Sequence, residues 1–108
     1  MLLSGGLPFD GAPPETEPLN FAPRITLPVL MLNGRYDLLL TVEASQEPLY
    51  KLLGTPLEDK RHYALEGGHS SLPRAEVVRL SLDWFDCYLG PVDGRGRLPS
   101  TDCRSAKP

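Results

Sequence analysis

Residues 28–37 read PVLMLNGRYD, and the way this stretch is interpreted decides the fold. Val29–Leu32 is apolar without a break, then gives way to Asn33-Gly34 and reaches Asp37 three residues later. A continuous apolar run of this length suits a strand covered on both faces, as in a parallel sheet. Asn-Gly, however, is the strongest short hairpin signal. Tyr36, Leu38, Leu40 and Val42 alternate with Arg35, Asp37, Leu39 and Thr41, as a returning strand would. In a hairpin Asp37 is an ordinary exposed strand residue. At the end of a parallel strand it stands where chemistry is usually placed. The neighbouring segments have to decide.

Upstream, MLLSGGL at residues 1–7 fits a short buried strand ending at Gly5-Gly6. Six of the twelve prolines then fall within residues 8–28. Proline removes the donor that a ladder or helix interior needs, so this is a surface connection, with Leu19 and Phe21 expected as its anchors. Downstream, Val42–Leu53 turns helical, with Thr41 as N-cap, Ala44, Leu49, Leu52 and Leu53 near one face, and Gly54 closing it. Pro48 should end, bend or delay that helix. KRHYALE at 60–66 alternates and predicts a short strand. A longer helix follows Pro73, with Ser71 or Leu72 just outside it. Its stripe is Val77, Val78, Leu82, Phe85 and Leu89, widened by Trp84 and Tyr88, and Gly90-Pro91 stops it. Residues 91–108 have almost nothing to bury and are expected to be a disordered tail.

Strand, connection, strand, helix, strand, helix is the order of an α/β protein with about three parallel strands alternating with helices. That order favours the parallel reading of residues 28–37 over the hairpin. Two helices cover both faces of such a sheet poorly, so the chain either adds partners or belongs to something larger.

Composition narrows the function. The chain has 108 residues, one domain at most, and a net charge of −3 with scattered Lys and Arg, which argues against nucleic acid as a partner. No apolar stretch approaches the ~20 residues of a membrane span, and MLLSGGLPFD lacks the n- and h-regions of a secretory signal. Cys87 and Cys103 have no metal or dithiol spacing. Cys87 is expected to pack on the last helix and Cys103 to lie in the tail. No metal and no cofactor is implied, and a cytoplasmic setting fits.

Two residues can carry chemistry. Asp37 follows one strand and His69, in EGGHSS, follows the next. In open α/β sheets catalytic groups gather beyond the carboxyl ends of the strands. A carboxylate bonded to one imidazole nitrogen fixes the tautomer and leaves the other nitrogen as a base. Against this, a histidine in a Gly-rich loop is often just a turn residue, and His62 within a strand is expected to be structural. GGHSS before a helix could also bind an anion, but no G-x-G-x-x-G or Walker lysine accompanies it.

From about Pro23 to Val92 the chain resembles the C-terminal third of an α/β-hydrolase, nearest to the dienelactone-hydrolase-like and prolyl-oligopeptidase-like serine hydrolases. PVLMLNG followed by Asp37, EGGHSS with His69, and the closing Asp83-Trp84-Phe85 carry the resemblance. It implies a partial α/β-hydrolase fold over residues 1–92, with 93–108 a tail. It also implies Asp37 as the acid and His69 as the base of a Ser-Asp-His triad, acting in the intact enzyme on an ester or peptide-like substrate. The nucleophile should precede Asp37 in a G-x-S-x-G elbow, and the chain has none. Ser4 and Ser70 both lack the motif, and an oxyanion-hole loop is missing too. The expected function is therefore that of a C-terminal hydrolase fragment, inactive alone. The alternative is a non-catalytic assembly module that completes its sheet with another chain, for instance by self-association through an exposed sheet edge.

Overall fold

The computed structural model describes residues 1–8 and 11–90. The expectations of a disordered tail and of a loosely placed Cys103 fall outside these residues. Three parallel strands form one sheet in the order β1-β2-β3: β1 is Leu2–Leu3, β2 is Val29–Gly34 and β3 is Lys60–Leu65. Helices α1 (Pro18–Phe21), α2 (Glu47–Leu52) and α3 (Arg74–Leu89) alternate with them. The α/β class expected from the sequence is the one observed.

β2 is buried along its whole length, and its alternation divides the core. Val29 and Met31 face one side, packing with Ala22, Leu49 and Leu53. Leu30 and Leu32 face the other, against Trp84, with Tyr63, Val77, Leu80 and Tyr88 around them. So α2 and α3 cover opposite faces of the sheet, one helix each. Asn33 and Gly34 are not a hairpin turn. They are the last two residues of β2 and pair in parallel register with Ala64 and Leu65. Burial on both faces outweighs the local turn preference.

Four local expectations are corrected. The first strand is only two residues long, and Leu3 is exposed, because the chain leaves the sheet at Ser4, whose φ is 55°. Leu19 and Phe21 are exposed and do not anchor the connection. Ala22 is buried instead, and its carbonyl accepts from Gly54 N–H at 3.2 Å, so small size and backbone bonding hold this segment down.

The third concerns the helix from Val42: Pro48 delays the regular helix as expected, but the buried face is not the one expected at Ala44. Thr41 does cap, its hydroxyl accepting from Ala44 N–H. The first turn, Val42–Gln46, is then a π turn in which Glu47 N–H reaches back to Val42 O, and Pro48 enters only at the start of α2. A π turn widens the spiral just where the proline ring would meet a carbonyl of the preceding turn. The extra residue rotates the buried face, so Ser45 and Gln46 are inside while Ala44 is exposed.

The fourth concerns α3, which Pro73 precedes as N-cap and Gly90, at φ 85°, terminates. Its sheet-facing side is Val77, Leu80, Trp84 and Tyr88, while Cys87 is buried and not a free thiol. Val78, Leu82, Phe85 and Leu89 point outward, at 49%, 56%, 40% and 79% exposure. The helix is apolar on two sides, and periodicity alone does not say which side meets the sheet.

Two buried cations complete the frame. Lys60 Nζ donates to Tyr50 O and Leu53 O, closing the last turn of α2, and burial pulls its pKa down. Arg61 is buried beside it and donates to Lys60 O at 2.9 Å.

Substitution should separate the two sides of α3. In urea unfolding, Trp84→Ala is expected to cost about 3–5 kcal/mol. Phe85→Ala, on the outward side, should cost less than about 1 kcal/mol.

Candidate functional site

The loops after β2 and β3 leave the sheet together. Arg35 N–H donates to Leu65 O at 2.8 Å and Tyr36 N–H to Gly67 O at 2.9 Å, so the loops stay zipped beyond the strand ends. This contact leaves no room for a side chain. A Cβ on Gly34 would lie 2.4 Å from Gly68 O, and Gly67 adopts φ 151°. Glycine is thus required on both sides of the junction.

Asp37 and His69 meet there. Asp37 is 2% exposed, and its Oδ2 lies 2.8 Å from His69 Nδ1. Asp37 Oδ1 accepts from Leu39 N–H and Leu40 N–H, each at 2.8 Å. Burial works to raise the Asp37 pKa, but the hydrogen bonds from Leu40, His69 and Leu39 outweigh it and hold the carboxyl below its ordinary value. At neutral pH the carboxylate is ionised and only accepts, so the proton of the contact sits on His69 Nδ1. When the ring is neutral, Nε2 then carries the lone pair and can act as a base.

His69 opens onto a cleft of about 290 Å³, with Leu3, Ser4, Ser70, Leu72 and Arg74 among its walls. Ser4 is the one non-glycine residue with positive φ among the described residues. That conformation costs roughly 1–3 kcal/mol. Its hydroxyl donates to the main-chain carbonyl of His69 at 2.7 Å, and its N–H to Leu32 O at 2.8 Å. The hydroxyl is therefore spent on holding the His69 loop rather than on the imidazole. Ser70 is exposed in the same loop, and Ser71 Oγ accepts from Gly68 N–H at 3.0 Å. No three His, Cys, Asp or Glu side chains among the described residues are grouped to hold a metal ion. No helix among them is long and apolar enough to cross a membrane.

His62, expected to be structural, stands apart from this cleft. Its Nε2 lies 3.1 Å from Gln46 Oε1, and its ring is 5.9 Å from that of Tyr50. Gln46 is fully buried, and its Nε2 donates to Gly34 O at 3.1 Å and Leu40 O at 2.7 Å. Those two acceptors fix the amide's orientation, so Oε1 faces His62 and His62 must donate from Nε2. Burial lowers the His62 pKa, favouring this neutral form. Sequence reasoning misses Gln46, and it weighs Ser4 only as a nucleophile, not as the support of the His69 loop. Gln46 is hidden because its burial follows from the π turn, for which Pro48 is the only sequence cue.

No protein-family model, no curated protein and no solved structure matches the chain.

The two histidines should be opposite tautomers at neutral pH. Nitrogen NMR is expected to find His69 protonated on Nδ1 and His62 on Nε2, and the same tautomer for both would contradict the geometry. Asp37 adds a pH dependence. Its folded pKa is depressed, so the stabilisation is fully present above the unfolded value of about 4 and disappears as pH falls through the folded pKa. Urea midpoints should therefore drop less between pH 7 and pH 3 in Asp37→Asn than in the wild type.

Proposed function

We propose that this chain is the C-terminal portion of a serine hydrolase of the α/β-hydrolase type, supplying acid and base but not the nucleophile. The observation that carries the reading is the 2.8 Å contact between buried, ionised Asp37 and His69 Nδ1 at the carboxyl edge of a parallel sheet. In the intact enzyme, His69 Nε2 takes the proton of a serine hydroxyl as its oxygen attacks an ester or amide carbonyl. The same nitrogen then gives that proton to the leaving group. Asp37 keeps the ring in the required tautomer and stabilises the imidazolium that forms. The serine and the oxyanion donors come from sequence outside this chain.

The outward apolar side of α3 supports the same reading. Val78, Leu82, Phe85 and Leu89 form a stripe at helical spacing that a further layer of the same domain would cover. The small β1 is likewise an edge with a neighbour on one side only.

Hydrolysis of a short-chain p-nitrophenyl ester is the test. This chain alone is expected to turn over at the rate of its own His69→Ala variant. A polypeptide that joins it to a preceding segment with a G-x-S-x-G elbow is expected to be active. In that polypeptide, His69→Ala should lower kcat by about 10⁶ and Asp37→Asn by about 10⁴. Activity indifferent to both substitutions would sink the proposal.

A further inference from the structure

We infer that Gln46 is a positioning residue for the Asp37–His69 pair, acting by clamping both ends of the loop that presents Asp37. The inference deepens the hydrolase reading and rests on it.

The residues from Gly34 to Leu40 leave β2, turn, and enter the segment before the π turn. The loop's outer side is undefended, since Leu38 is 89% exposed and Leu39 63%. Such a loop has few contacts of its own to hold a buried carboxylate in one place. Its interior contacts are instead polar. Asp37 N–H donates to Gly34 O at 3.3 Å, and Leu39 and Leu40 N–H converge on Asp37 Oδ1.

Gln46 reaches across this loop from beneath. One amide nitrogen donates to Gly34 O at the loop's entry and to Leu40 O at its exit. Leu40 thereby links the two systems: its carbonyl accepts from Gln46 while its N–H donates to Asp37. The connection runs from the Gln46 amide through the Leu40 peptide to the Asp37 carboxylate, and on to His69 Nδ1. His62 occupies the remaining side of the amide and prevents it from flipping. Nothing apolar could do this, because a side chain of the same length without donors would remove the Leu40 carbonyl's bond to Gln46 and leave Gly34 O with the 3.3 Å bond from Asp37 N–H.

The alternative is that Gln46 merely fills space beneath the sheet. The two roles separate by what is read. Gln46→Met keeps length and burial but removes both donors. It is expected to weaken or abolish the low-field Nδ1–H proton resonance of His69. Hydrogen-exchange protection of the Leu39 and Leu40 amides should fall at least about tenfold, because two hydrogen bonds that hold the loop are lost. Protection of Met31 and Leu32 in β2 should stay as in the wild type. Gln46→Asn, which keeps an amide but is too short to span both carbonyls, should give the same pattern.

If either folded variant keeps the resonance and the protection of Leu39 and Leu40, the positioning role is wrong while the hydrolase reading stands. A wild-type chain that never shows the His69 resonance would instead count against the hydrolase reading itself. Unfolding of both variants would also overturn the inference, since Gln46 would then determine the fold rather than the pair.

Discussion

The pairing of β2 with β3 does not stop where the strands stop. Two further hydrogen bonds, from Arg35 and Tyr36 into the other loop, continue it past Gly34, and the glycines at that point let the two main chains touch. Everything in the candidate site hangs from this extension. It brings the loops of Asp37 and His69 side by side through backbone bonds, and the Ser4 and Gln46 side chains then hold each loop in place. A carboxylate and an imidazole on long loops would otherwise meet only part of the time, at a cost in ordering that a single ion pair rarely offsets.

Around that junction the supports are polar and each is used more than once. Ser4 holds the His69 main chain, Gln46 spans the Asp37 loop, and the Leu39 and Leu40 amides solvate the carboxylate. A buried charge is tolerated when its lone pairs are satisfied in this way. The carboxyl is held below its ordinary pKa despite burial, so hydrogen bonding wins over desolvation here. Asn33 shows the contrary case. Its Nδ2 donates to Gly5 O at 2.7 Å, while its buried Oδ1 has no partner.

The sequence revealed what depends on strong, repeated patterns. VLML buried on both faces, the alternation of KRHYAL and the long amphipathic run after Pro73 each predicted the right element. Their order then predicted a parallel sheet with Asp37 and His69 at one edge. What stayed hidden depends on competition between patterns. α3 has apolar residues on two sides, and only the position of Leu30 and Leu32 determines that Trp84 rather than Phe85 turns inward. Pro48 announced an irregular helix but not its form, and the π turn moved the buried face from Ala44 to Gln46. Leu19 and Phe21 failed as anchors because that segment is held by the backbone of Ala22 rather than by large side chains.

The outward side of α3 has a consequence for the life of the polypeptide in a cell. Chaperones and proteases sort proteins by the apolar surface they leave uncovered, and a stripe of this length looks like a fold that has not finished. On the reading proposed above, the chain without its covering layer would be a target for both although its internal sheet is in order. Its abundance would then report whether the proposed covering layer is made alongside it.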